Sequence, residues 1–343
     1  MTSEDTPVVP DREEIARFWQ AIADEHASLA DATDVDRVEA FNGVVQEYWS
    51  DIGLEVFEQS DTSRKGMCVT AHGSFKHFPL VMALVQQAPA SDYDVQAFRR
   101  RTADGSFAMG MDGFKLDTGD VLIGCFPDGP QVGFEIRFAK EIPSDFRDHA
   151  RNMSFIMLDH VIGEYEFAVK TGAVQFVEEW SEAVTHDAPL NALPPLFDRY
   201  WSEELGHSGM FPQETSWQGM ELAFRDDQGN DTDTAVLTLN SSAGPLAMRA
   251  DMTFALELIV PVENKDDLTA VQDMQDRIAH LLEQPQTGIL VYTMLRSGRR
   301  HALYYVNDDE AAVAVVQQQM GEREYDLYCE RDFNWSQYYR FAR

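Results

Sequence analysis

The sequence predicts an α+β protein of two domains, 1–187 and 188–343, the second a ferredoxin-like βαββαβ antiparallel sheet with helices on one face. Three observations carry this. Apolar residues from Asp251 onward recur first every two residues, then every three or four, and the two periods alternate in the order strand, helix, strand, strand, helix, strand. Capping and turn residues stand at the junctions between those runs. At 343 residues the chain exceeds what one core usually organises, and a proline-bearing stretch from Glu182 to Pro195 divides it.

Taken in order, the C-terminal part reads as follows. Met252, Phe254, Leu256 and Leu258 alternate with Thr253, Ala255 and Glu257, the period of a half-buried strand. Leu268, Val271, Met274, Ile278, Leu281 and Leu282 share one face of a helix from Asp266 to Glu283. Asp266 and Asp267 are placed to cap it, and Pro285 ends it. Ile289 to Leu295 and His301 to Val306 flank Ser297-Gly298, a hairpin signal. Asn307 with Glu310 has capping-box spacing for a second helix, and Gly321 fits its stop. Tyr325, Leu327 and Cys329 form a last strand.

The N-terminal half is also α+β. Helices are expected from Asp11, with Ile15, Phe18, Trp19 and Ile22 inward, and from Asp34, with Phe41 and Val45 inward. Strands are expected at Leu54–Glu58, Gly66–Ala71, Asp94–Arg99, Val121–Phe126, Gln131–Phe138 and Val174–Val177. A helix over Phe78–Gln87 and a long one from Ser144 to Val161 complete the half, the latter with Met153, Ile156 and Met157 on its apolar side. Gly105, Gly110 and Gly113 read as an ordinary loop. Between the halves' cores, Leu196–Glu204 reads as a short helix, and Trp217–Arg225 and Thr234–Leu239 as two further strands.

After the last strand come Asp332, Trp335 and Tyr338, an Asp-x-x-Trp-x-x-Tyr ending. This ending resembles that of domain-of-unknown-function family 695, a bacterial family grouped by fold with the regulator of ribonuclease activity B. Leu84–Arg100 and Leu158–Phe167 resemble the N-terminal domain that often precedes it. Two departures are Glu263-Asn264-Lys265-Asp266, where the family often has Gly-Leu-Pro, and Tyr93, where Trp is expected. The resemblance implies the ferredoxin-like fold and assigns no activity to any residue.

The net charge is −32, from 27 Lys and Arg against 59 Asp and Glu. Phosphate backbones need clustered cations, so direct nucleic-acid binding is not expected. Adaptation to a salty habitat is one account of such a surface; recognition of a basic protein partner is the other. An acidic start and the lack of any span-length apolar run point to a cytoplasmic protein without membrane contact. Cys68, Cys125 and Cys329 are widely spaced and odd in number, which suits reduced thiols.

No catalytic set is legible. Cys68, His72 and His77 fall short of four zinc ligands, so no metal is expected. There is no Gly-rich phosphate loop with its lysine and no nucleophile elbow, so no cofactor is expected either. Asp226-Asp227 and Asp308-Asp309 read as caps and solvated loops, and Glu164 as a carboxylate holding a turn. Arg99-Arg100-Arg101 reads as a salt-bridging cluster. The candidate interaction residues are Arg296, Arg299 and Arg300 at the hairpin tip, whose forks suit carboxylates, with Trp335 and Tyr338 in the aromatic tail. The expected function is that of a non-enzymatic regulatory or inhibitory protein. A toxin-neutralising immunity protein or a ribonuclease regulator would be examples, and a hydrolase with a site between the domains is the alternative.

Overall fold

A computed structural model describes residues 9–29, 32–59, 64–103, 105–111, 113–225 and 231–342. The protein is mixed α/β with several sheets. It divides into two compact units, 1–128 with 132–198, and 129–131 with 199–343. Among the described residues, no helix is long and apolar enough to cross a membrane.

In the first unit, α1 (Arg12–Ser28) begins where the Asp11 carboxylate accepts the Glu14 N–H at 2.8 Å. Its stripe of Ile15, Phe18, Trp19 and Ile22 is buried. α2 (Asp34–Tyr48) is capped by Thr33, not Asp34, through a reciprocal box with Asp36. β1 (Gly53–Phe57) runs antiparallel to β2 (Lys65–Thr70). α3 (Phe78–Gln86) then carries the chain across to β3 (Tyr93–Ala97), parallel to β2, the crossover that a parallel pair requires.

β4 (Ala108–Met111) and β5 (Phe114–Asp117) pair as a hairpin where an ordinary loop was expected. Asp112-Gly113 is a hairpin dipeptide, and Gly113 has φ +85. β6 (Val121–Asp128) and β7 (Gln131–Phe138) form the middle of a four-stranded sheet. α4 (Arg147–Ile162) follows a 3-10 turn, so Ser144 does not cap it, and it ends at Gly163. Ile156 is 41% exposed rather than inward; Ser154 and Asp159 are buried instead. α5 (Glu164–Lys170) starts at once and leads to β8 (Thr171–Phe176), which joins β7.

The stretch expected to link two domains is built into the first unit. β9 (His186–Pro189) pairs antiparallel with β6, Pro189 opposite Leu122, and α6 (Leu193–Arg199) follows with Leu193, Leu196 and Phe197 buried. β9 is an edge strand, where a proline's missing N–H breaks no ladder. The division falls at Asp198/Arg199, not 187/188. Brief protease treatment of the native protein, read by mass spectrometry, is therefore expected to leave His186–Pro195 uncut; early cleavage within His186–Pro189 would contradict the β6–β9 pairing.

The second unit opens with a π turn at Tyr200–Glu204 in place of a continued α-helix. β10 (Trp217–Arg225) and β11 (Asp231–Asn240) precede β12 (Phe254–Pro261), α7 (Lys265–Glu283), β13 (Gly288–Arg296), β14 (Arg299–Val306), α8 (Asp309–Met320), β15 (Asp326–Arg331) and the short α9 (Ser336–Tyr339). The sheet has the order β10-β11-β13-β14-β12-β15, with antiparallel neighbours throughout. Asn264 caps α7 through the Asp266 and Asp267 N–H groups, and Asp308, one residue past the expected Asn307, caps α8. Ser297 and Gly298 both take positive φ, as a two-residue hairpin turn needs.

One face of this sheet forms a core with α7 and α8. Leu256, Leu258 and Val260 of β12 and Tyr304 of β14 meet Val271, Ile278 and Val316 of the helices, all fully buried. Each such side chain contributes on the order of 1.5–3 kcal/mol by leaving water. Tyr305 follows Tyr304 and so points to the opposite face. There it meets α9 and the aromatic tail, so helical structure packs on both faces rather than one.

Candidate functional site

The three hairpin-tip arginines are each engaged within the sheet. Arg296 lies 3.6 Å above the Phe224 ring, and its Nε donates to Asp233 Oδ2 at 2.7 Å; Ser297 Oγ donates to the same oxygen at 2.7 Å. The Arg296 hydrogen bond, more than any other contact, holds the Asp233 carboxyl below its ordinary range. Arg299 pairs with Asp326 across to β15. Arg300 is partly buried beneath α7, where Nε donates to Gln275 Oε1 at 3.1 Å and Nη2 to Thr293 Oγ1 at 2.9 Å. These forks tie β11, β15 and α7 to the central hairpin.

Trp335 and Tyr338 are interior residues packed on the sheet, which removes them as candidates for contact with a partner. Trp335 is fully buried, stacks on Tyr305 at 3.9 Å and 8°, and donates its Nε1–H to Met252 O at 2.8 Å. Tyr338 is 2% exposed and donates to Asn240 O at 3.2 Å. Asp332 starts the turn that leads into them. Its carboxylate accepts the Tyr305 hydroxyl at 2.6 Å and the Ser336 and Gln337 N–H groups, each at 2.9 Å. The Asp-x-x-Trp-x-x-Tyr ending thus seals the second face of the sheet.

The most concentrated polar constellation surrounds Glu164 in the first unit. Gly163 takes φ +87 and ψ 140, open to glycine and costly for other residues. It turns the chain so that Glu164 enters the interior, fully buried. Glu164 Oε1 accepts the Ala71 and Gly73 N–H groups at 2.9 and 3.0 Å, and Oε2 accepts the Arg99 N–H at 3.1 Å. The Glu164 N–H donates to Arg99 O at 3.1 Å. Arg99 in turn reaches Glu55 through Nε at 2.7 Å, pairs with Asp159, and brings Nη2 within 3.1 Å of His72 Nδ1. Burial raises the Asp159 pKa in spite of that arginine.

Both oxygens of Glu164 are taken by backbone donors, so the carboxylate fixes the turn after β2 to the end of β3. His72 and Phe98, at φ +50 and +64, are the strained residues it holds in place. This is the turn-holding role expected of Glu164. Of the expected salt-bridging cluster, Arg99 and Arg101 are ion-paired: Arg101 donates to Asp198 through both Nη atoms at 2.7 Å and pairs with Glu166.

Nothing at the cysteines suits nucleophilic chemistry. Burial pushes the thiol pKa of Cys125 up to about 12 and that of Cys329 up to about 11, and raises Cys68 as well, whereas a reactive thiolate needs a lowered pKa. Among the described residues, no group of three His, Cys, Asp or Glu side chains is arranged to hold a metal ion. Asp308 accepts the Ala311 N–H as a helix cap; Asp226 and Asp227 lie outside the described residues.

One surface was not anticipated. Trp217, Gly219, Glu221 and Ala223 of β10 lie opposite Asn240, Thr238, Val236 and Thr234 of β11, on the helix side of the sheet. α7 covers β13 and β14, but this outer pair is bare: Trp217 is 40% and Val236 53% exposed. β10 is also an edge strand, bonded to β11 alone. The available signal was polar Gln218, Gly219 and Glu221 beside Trp217, a strand with no clean apolar period. In comparisons with protein-family models, curated proteins and solved structures, nothing matches this chain.

Proposed function

We propose that the chain is a non-enzymatic binding protein that meets a basic protein partner, with a ferredoxin-like module in its second unit. The observation that carries the binding reading is the surplus of carboxylates. Pairing every Lys and Arg with an acid would still leave the net charge of −32 without a counterpart in the chain. The hairpin-tip arginines, the obvious cations for an acidic ligand, already have partners. The module reading is supported by the antiparallel order β13-β14-β12-β15 with α7 and α8 sharing a core. The Asp332–Tyr338 ending supports a family 695 relationship, and a regulator or immunity protein is the kind of role that suits such a surface.

The bare β10–β11 face is the place for contact. Natural sheets blunt an edge strand with Lys, Pro, bulges or a covering element; β10 has neither Lys nor Pro, and its one irregularity, at Phe224/Arg225, leaves Trp217–Ala223 in regular register. The field of the whole molecule steers encounter and falls off beyond a Debye length of ~10 Å at 0.1 M salt. A low-salt capture from the native host is expected to yield a basic protein whose association slows about tenfold or more toward molar salt. Glu221→Lys should reduce the association rate more than it raises dissociation. Turnover of a small substrate, lost on a single polar substitution and with no basic partner retained, would overturn the reading.

A further inference from the structure

We infer that the first unit carries a binding site for a small hydrophobic amine, independent of any protein partner. The site is a cavity of about 250 Å³ between α1 and the three-stranded sheet. Its wall is the stripe Trp19, Ile22, Ala23 and His26, spaced i, i+3, i+4 and i+7, so one helix face supplies all four. Its floor is Met67 of β2 with Tyr93 and Val95 of β3. Met67 lies directly opposite Val95 in the parallel register, which puts all three on one face of the sheet. The segment Pro89–Asp92, between α3 and β3, forms the rim.

Hydrogen bonds fix the wall and the rim of the cavity. Trp19 Nε1–H donates to Leu84 O at 3.0 Å, which fixes the indole. Arg64 Nη2 donates to Ser91 O at 2.5 Å and Tyr93 O at 2.8 Å, which pins the rim to the floor. Tyr93 N–H donates to Ser91 Oγ at 3.2 Å, a further clasp. Pre-formed, mostly apolar concavities with a few convergent polar groups are what small-molecule sites look like, and at about 250 Å³ this one falls just below their roughly 300–1,000 Å³ range. It suits a single ring with a short arm.

The polar groups select the charge of that arm. At the mouth, Asp92 Oδ2 lies 3.4 Å from His26 Nε2, and the Asp92 side chain is 88% exposed, so its carboxylate has room for a second partner. Among the described residues no Lys or Arg lines the cavity. An anionic ligand would face Asp92 and the −32 field, and the Arg64 guanidinium at the rim is already committed to Ser91 O, Tyr93 O and Asp94. A protonated amine gains the carboxylate, and the lining includes Trp19 and Tyr93, residue types whose rings attract cations.

Three probes of one shape test this by calorimetry on the full chain: phenethylamine, phenethyl alcohol and phenylpropionate. The amine is expected to bind saturably, about tenfold or more tightly than the alcohol, and the carboxylate not at all. Asp92→Asn, at an exposed position, should weaken the amine about tenfold and leave the alcohol unchanged. Ala23→Trp, at an exposed wall position, crowds the cavity and should weaken both, with an unchanged circular dichroism spectrum confirming the fold. No saturable amine binding, equal binding of all three probes, or an amine affinity indifferent to Asp92→Asn would each overturn the assignment. None of those outcomes bears on the basic partner, whose test uses the second unit.

Discussion

Glu164→Ala should destabilise the first unit by about 3–6 kcal/mol, since three N–H donors, those of Ala71, Gly73 and Arg99, lose their acceptor at once and each unsatisfied buried donor costs about 1–3 kcal/mol. Arg99 keeps Glu55 and Asp159, so its charge remains paired and the loss concentrates on the backbone. Glu164→Gln keeps the shape but aims an NH2 group at donors, so it should fall between the two. Urea unfolding gives the magnitude, and amide exchange at Ala71, Gly73 and Arg99 gives the location. A variant within about 1 kcal/mol of the parent, the range of ordinary surface substitutions, would mean that the carboxylate is not the anchor described.

The second large effect is expected at Trp335. Its replacement by Ala removes a fully buried indole, its stack on Tyr305 and its bond to Met252 O. Aromatic-to-Ala changes in cores cost about 3–5 kcal/mol, and Tyr305 beneath it would gain solvent access. Trp335→Phe keeps a ring on Tyr305 and loses the Nε1 donor, so its cost should be clearly smaller. Tyr305→Phe strips the hydroxyl from Asp332 and leaves the stack. If the Ala variant unfolds at the parent's denaturant midpoint, the tail is not the seal of the second face.

The C-terminal elements were legible because α7 and the strands around it obey one period each, and because Ser297-Gly298 admits few alternatives. The helix starts slipped by a residue or two. Asn264, Asp266, Asp267, Asn307 and Asp308 are all competent caps, and spacing alone does not rank them. The linker was misread for a physical reason: prolines mark loops, but an edge strand such as β9 accepts them equally well. The β4–β5 hairpin was missed because three glycines outweighed the Asp112-Gly113 signal. At the candidate surfaces the pattern is similar. Arginines and aromatics near a hairpin and a terminus look available in one dimension. Which of them the sheet consumes depends on Asp233, Asp326 and Tyr305, all distant in sequence. Glu164 was legible as a turn-holder because it follows a glycine at a helix end, but its three donors lie 65 to 93 residues upstream.

Those separations set an order of events on the ribosome. β1, β2 and β3 are all made by Ala97, yet the carboxylate that fastens the β2 turn to the end of β3 comes much later. At synthesis rates of roughly 5–20 residues per second, the nascent sheet waits on the order of 3–13 s for it. Throughout that interval the donors of Ala71, Gly73 and Arg99 have only water, and the strained turn at His72 has only its local bonds, such as His72 N–H to Thr70 Oγ1, and the Arg99 side chain to hold it. The oldest sheet of the molecule is thus completed by one of the younger residues of its unit, and its vulnerable period is set by translation speed.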